Sequence, residues 1–303
     1  MKRFLKYSCY LLAILSLISC TTIPPQVNTP AQEPPATALK SLHPQVVLVL
    51  GSGGARGFSH VGVLKVLQEN HIPIDMIVGV SAGSIVGALY ADDVSAARVR
   101  ELLLEAKRDK VIDISVFNIP TGAISGKGLQ DFLNANMQAK NFNQLKIPFV
   151  AVATELDTGD LHVFSSGPIA PAVNASAAAP PFFRPVRMYG KLFADGGLVD
   201  PVAVDVAKRF HPKVIIAVRL DTGLSEIMPT TSAGYFLRGF DLMLRRLNFY
   251  TARDANVVIA PQTGDINMFQ ESGRSQLMQA GEQAAWKAMP EIKSVLKEKG
   301  IQF

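Results

Sequence analysis

Five short runs of the chain are almost continuously apolar: Val46–Leu50, Met76–Val80, Pro148–Ala153, Val214–Leu220 and Val257–Ala260. They are rich in branched side chains and do not alternate with polar residues, the pattern of strands covered on both faces. Between several of them, apolar residues recur at helical spacing. Val61, Leu64 and Leu67 share one face of a helix predicted to end near Asn70. Ile85, Leu89 and the alanine-rich turns after Gly83 mark another. Strand and helix in alternation predict a three-layer α/β/α domain with a largely parallel central sheet. In such sheets chemistry sits where a strand ends and a helix begins.

The first 45 residues follow a different pattern. Lys2, Arg3 and Lys6 precede an apolar stretch from Leu11 to Ile18, too short for a membrane span and typical of an export signal. The stretch ends in Leu17-Ile18-Ser19-Cys20, which resembles a bacterial lipobox, and Thr21 follows. The organisation this predicts is a signal peptide over 1–19, a lipidated proline-rich tether over 20–45 and one domain over 46–303. Cys20 would carry the lipid and hold the protein at a membrane, with Thr21 favouring the outer membrane. Pro24, Pro25, Pro30, Pro34, Pro35 and Pro44 keep the tether extended.

Composition removes several function classes. The only other cysteine, Cys9, belongs to the signal, so neither a disulfide nor a cysteine metal cluster is available. The formal charge of +5 falls to +2 once Lys2, Arg3 and Lys6 are set aside, which gives no case for nucleic acid as a partner.

Two strand–helix junctions carry candidate chemistry. Gly79-Val80-Ser81-Ala82-Gly83 is a G-x-S-x-G turn on an apolar strand, with a helix to follow. In a nucleophile elbow the flanking glycines remove side chains that would collide in the strained turn, and the serine stands exposed. Ser84 is a weaker nucleophile candidate because it lies inside the helix. The other junction, Gly51-Ser52-Gly53-Gly54-Ala55-Arg56-Gly57, offers backbone N–H groups at Gly53 and Gly54 for an oxyanion. Arg56 would either meet a phosphate or carboxylate of the substrate or brace the loop.

A serine nucleophile needs a base. Of the five histidines, His43 lies in the tether, His71 and His211 fall at the far end of the sheet, and His162 sits in a hairpin or edge strand. His60 is the one placed to approach Ser81, and packing or capping is its more ordinary role. Asp195 is the better candidate: it ends the strand-like Leu192-Phe193-Ala194, and Gly196-Gly197 then turn the chain. Asp200 is the second choice.

Taken together these segments resemble the patatin-like phospholipase family, lipid acyl hydrolases that use a Ser-Asp dyad. GSGGARGFSHVGVL is similar to the family's oxyanion block, with Gly51, Gly53, Gly54, Arg56 and Gly57 in matching places. GVSAG matches the nucleophile block, Ala175–Pro185 the segment that closes the site, and Asp195-Gly196-Gly197 the block that supplies the base. The resemblance spans about Val46 to Val204. It implies ester hydrolysis of a lipid at a membrane surface, with Ser81 as nucleophile, Asp195 as base, and neither metal nor cofactor. Protein partners are not implied. Asn174, where relatives often carry a basic residue, and Asp200-Pro201 depart from the family pattern and bear on substrate choice.

Two other readings compete. A non-catalytic lipid-binding lipoprotein would keep the fold without the reaction. A dinucleotide-dependent oxidoreductase would use the glycine loop, but Arg56 stands at the third glycine position, and only Asp75 approximates the acidic residue required downstream. Thr121–Gly128 fails as a phosphate loop in both spacing and residue type, and is expected to lead into a helix around Leu129–Leu133 at the cleft rim. Residues 234–250 combine Phe236, Phe240, Met243, Leu244 and Leu247 with Arg238, Arg245 and Arg246. The expectation for them is a helix that packs its broad apolar side on the sheet and leaves the arginines in water, rather than one that lies on a membrane.

Overall fold

The five apolar runs become strands of one eight-stranded sheet, in a computed structural model that describes residues 32–35, 42–113, 122–221, 228–264 and 273–303. Along the chain the strands are β1 (Val46–Leu50), β2 (Met76–Val80), β3 (Phe149–Glu155), β4 (Leu161–Phe164), β5 (Val186–Met188), β6 (Lys191–Asp195), β7 (Val214–Val218) and β8 (Val257–Ile259). Hydrogen-bonded neighbours follow the path β5-β6-β3-β2-β1-β7-β8, with β4 also paired to β3. From β3 to β8 the neighbours in that order are parallel, whereas β4 and β6 pair antiparallel with β3 and β5 with β6.

Burial on both faces follows from the side-chain alternation of a strand. Every residue of β1, β2, β3 and β7 is buried. Val46, Leu48 and Leu50 enter one core, and Val47 and Val49 enter another on the opposite face. The first core is closed by α1 (Phe58–Glu69), α2 (Ala82–Asp93), α3 (Ala96–Glu105), α5 (Lys127–Asn136), α6 (Ile169–Ser176) and α9 (Arg274–Glu298), with the short α4 (Arg108–Val111) before α5. The second is closed by α7 (Val204–Lys208) and the last turn of α8 (Ser232–Ala252). Three layers and a mostly parallel sheet result, the fold class expected from the sequence.

Helix ends follow local chemistry. Ser95 caps α3 by accepting the Arg98 N–H at 3.1 Å, and Thr231 caps α8 by accepting that of Gly234 at 3.1 Å. The predicted helix end near Asn70 agrees with the end of α1, and α5 covers Leu129–Leu133.

One expectation is overturned. Phe236 and Met243 of α8 are 71% and 70% exposed, while Phe240, Leu244 and Leu247 are only half-buried. The helix is tied down near its end, where Thr251 Oγ1 accepts the Val202 N–H at 3.3 Å and Asn248 and Ala252 are buried. Its broad apolar side therefore does not pack on the sheet.

The expected signal over 1–19 and Cys20 lie outside the described residues, as does most of the tether and Thr121. Where the tether is described, Glu33 stands 3.0 Å from His162 on β4. No helix among the described residues is long and apolar enough to cross a membrane.

Candidate active site

Strand register brings Ser81 and Asp195 together. β2 runs parallel to β3 and its last residue, Val80, pairs with Val152; β6 runs antiparallel and its last residue, Asp195, pairs with Ala153. Since β4 occupies the other edge of β3 over Ala151–Thr154, β2 and β6 must share one edge and meet end to end there. Two segments more than a hundred residues apart thus deliver their terminal side chains to adjacent rungs.

At that meeting point Ser81 Oγ donates to Asp195 Oδ2 at 2.5 Å. Ser81 adopts φ 54°, ψ −121°, the strained conformation of a nucleophile elbow, at the head of α2. The turn is possible because Gly83 has no side chain: a Cβ there would stand 2.0 Å from the Leu50 carbonyl oxygen. Gly79 lies on β2 between Leu50 and Ala151 of the neighbouring strands. Ser176 supports the elbow, accepting the Ser81 N–H at 3.0 Å and donating to the Val152 carbonyl at 2.6 Å.

Asp195 is buried and tightly held. Its Oδ1 accepts the Gly197 N–H at 2.7 Å, and its carbonyl accepts Thr154 Oγ1 at 2.9 Å. Gly196 permits the turn, since a Cβ would stand 2.3 Å from the Val152 carbonyl oxygen. Burial pushes the Asp195 carboxyl up to about 6, against the opposing hydrogen bonds from Ser81 and Gly197. The group is therefore ionised at neutral pH yet a stronger base than an exposed aspartate, matched to taking a proton from a hydroxyl.

The glycine loop touches both blocks. A Cβ on Gly57 would lie 2.6 Å from that of Ala82, the residue after Ser81, and one on Gly197 would lie 3.0 Å from Ser52 Oγ. Of the loop's first four amides, Gly51 donates to the Val218 carbonyl and Ser52 to that of Pro201. Among the described residues those of Gly53 and Gly54 meet no protein acceptor. Arg56 is buried, with Nε 3.4 Å from the Gly53 carbonyl and Asp241 and Asp221 within electrostatic reach.

The competing side chains are engaged elsewhere. His60 is fully buried, its Nε2 donates to the Gly51 carbonyl at 2.8 Å, and desolvation lowers its pKa to about 4, so it is neutral and packed. Ser84 donates to the Ser81 carbonyl at 2.6 Å. Asp200, its carboxyl also raised to about 6 chiefly by burial, receives no bond from Ser81. Asp75 Oδ2 accepts the Gln45 and Val46 N–H groups at 2.8 and 2.9 Å, at the start of β1 and so at the wrong end of the sheet for a ribose. Asn174 is buried against Gly126, which links α6 to the loop before α5. Ser52, Ser176 and Thr154 were not singled out in the sequence. Ser176 and Ser52 had a signal in their places inside the Ala175–Pro185 block and the glycine loop, whereas Thr154 had none. Among the described residues no cluster of three or more His, Cys, Asp or Glu side chains is placed to hold a metal.

The site thus lies on a mostly parallel α/β sheet, with a strained serine at one strand end and an aspartate hydrogen-bonded to it. The chain belongs to the patatin-like phospholipase family, whose model matches residues 48–208. It is 32% identical over 211 residues to patatin-like phospholipase domain-containing protein 6 of Mus musculus, covering 67% of this chain and 15% of that protein. It is 35% identical over 187 residues to an uncharacterized NTE family protein of Mycobacterium bovis, covering 60% of this chain and 50% of that one. The chain thus spans half or less of the length of these relatives. VipD from Legionella pneumophila has the same fold, with a TM-score of 0.56 at 14% identity over 84% of this chain and 67% of that one.

Proposed function

We propose that the protein is a lipid acyl hydrolase that cleaves carboxylic esters through Ser81 and Asp195. The observation that carries this reading is the 2.5 Å hydrogen bond from a serine in an elbow conformation to a buried, elevated carboxylate. Asp195 Oδ2 takes the Ser81 proton as Oγ attacks the acyl carbonyl carbon. The oxyanion accepts the unengaged Gly53 and Gly54 N–H groups. As the tetrahedral intermediate collapses, the carbon–oxygen bond to the leaving alcohol breaks and Asp195 returns the proton to that oxygen. Water then gives its proton to Asp195, attacks the acyl-serine, and the fatty acid leaves as Ser81 recovers its proton. Arg56 stiffens the loop, held between the Gly53 carbonyl and the two aspartates.

Cys20 carries the lipid anchor in this account, and the domain works on an outer-membrane surface as an exported lipoprotein. Release of fatty acid from a panel of phospholipids, lysophospholipids and monoacylglycerols tests the reading. Ser81→Ala should lower the rate at least about a thousandfold. An S81A protein as fast as wild type on every ester would end it.

A further inference from the structure

The exposed side of α8 is ordered rather than random. Tyr235, Leu242 and Phe249 form one row at a spacing of seven residues, and Phe236, Met243 and Tyr250 form a second, all exposed. At 3.6 residues per turn the two rows lie side by side, and positions 239, 246 and 253 run between them. Those positions hold Gly239, Arg246 and Arg253, and both arginines stand over the Tyr250 ring, at 4.5 and 5.5 Å. Arg238 and Arg245 flank the Tyr235 row. The helix has one acidic residue, Asp241, and it faces inward within electrostatic reach of Arg56.

This face also stands beside the catalytic loop. Phe249 lies 5.6 Å from the guanidinium of Arg219, and the next residue, Leu220, is in contact with Gly53. The sheet end that carries Ser81 and Asp195 is therefore the end on which α8 is mounted.

We propose that this face of α8 docks the domain on an anionic phospholipid surface, an inference that rests on the lipid-hydrolase reading above. Aromatic and thioether side chains enter the boundary between headgroups and acyl chains, and the arginines, two of them held over the Tyr250 ring, meet lipid phosphates. Charge selects this occupant: the outward charges of the helix are arginines, and the one acidic neighbour, Asp254 just beyond it, pairs with Arg253 at 3.5 Å. Two copies brought face to face would still set arginine against arginine, whereas an anionic bilayer complements the surplus. The bilayer is thereby presented to the mouth of the ester-cleaving site.

The test uses the full chain carrying Cys20→Ser, so that no attached lipid contributes. Flotation with phosphatidylcholine vesicles, with and without phosphatidylglycerol, should show binding that rises with the anionic lipid. Phe236→Ser with Met243→Ser should weaken that binding at least about tenfold, because two large apolar side chains no longer enter the interface. Arg245→Glu with Arg246→Glu should remove the preference for phosphatidylglycerol. Both variants should melt like the parent and cleave a short-chain nitrophenyl ester in free solution at its rate, and Ser81→Ala should float unchanged. Flotation indifferent to both α8 variants would overturn the docking surface while leaving ester cleavage standing. So would a wild-type dimer that the Phe236/Met243 variant splits, since the face would then be filled by a second copy. Vesicle binding of the predicted pattern without any ester cleavage would instead retain the surface and refute the hydrolase.

Discussion

At the scale of single residues, the site turns on one carboxylate in an unfavourable place. Asp195 must be ionised to accept the Ser81 proton, and burial holds its pKa at about 6. The kcat/KM of ester hydrolysis should therefore rise with pH through about 6 and level off above it, which a pH–rate profile reads directly. Asp200 has a similarly raised carboxyl, so the profile alone does not assign the limb. Asp195→Asn should abolish activity, whereas Asp200→Asn should retain it and its acid limb. Linkage adds a stability consequence. A folded-state pKa above the unfolded value means the contribution of Asp195 to stability is full in acid and is lost as pH rises through about 6. Asp195→Asn should thus be more stable than wild type at neutral pH, by an amount on the order of 2 kcal/mol, and the difference should shrink in acid. Thermal unfolding at the two pH values checks it.

At the scale of elements, close approaches set what the sequence tolerates. Gly83 lets α2 start directly against the Leu50 carbonyl, and Gly83→Ala should destabilise the fold by about 3 kcal/mol or more. Gly239 on the outer face of α8 has open space around its would-be Cβ, so Gly239→Ala should be neutral or stabilise by up to about 1 kcal/mol. Chemical denaturation of the two variants side by side makes the comparison. The elements also show how much was legible in advance. The parallel strands declared themselves because both faces are buried, leaving runs such as Val46–Leu50 with no polar position. The elbow declared itself because a strained turn restricts residue type over five consecutive positions. The β5–β6 hairpin did not, because its two-residue turn places Tyr189 at φ 50° before Gly190 at φ 77°, and tyrosine is not a usual signal for positive φ. The exposed face of α8 was misread for a different reason. Apolar content reveals that a helix has something to bury, while which of its sides meets the sheet depends on where distant strands end.

At the scale of the whole molecule, the proposed lipid anchor at Cys20 and the proposed ester-cleaving site in the domain are separable. Cys20→Ser should move the protein from the membrane fraction to the soluble one under high salt, where α8 docking is screened, with its rate on a dissolved ester unchanged. Fractionation of cells expressing the two forms is the readout, and a membrane-bound C20S protein would show that something other than the lipid retains it. Ser81 and Asp195 meet only because β2 and β6 end on one edge of β3, a relation that no local stretch of sequence contains. What the sequence did carry was the order of the motif blocks, which is why the pairing was expected before its geometry was known.

The most direct test of the central claim is covalent. A fluorophosphonate should label the native protein once, and peptide mapping should place the adduct on Ser81. Labelling should vanish in Ser81→Ala and fall by orders of magnitude in Asp195→Ala. An adduct on another serine, or labelling of native protein that persists in Ser81→Ala, would contradict the account.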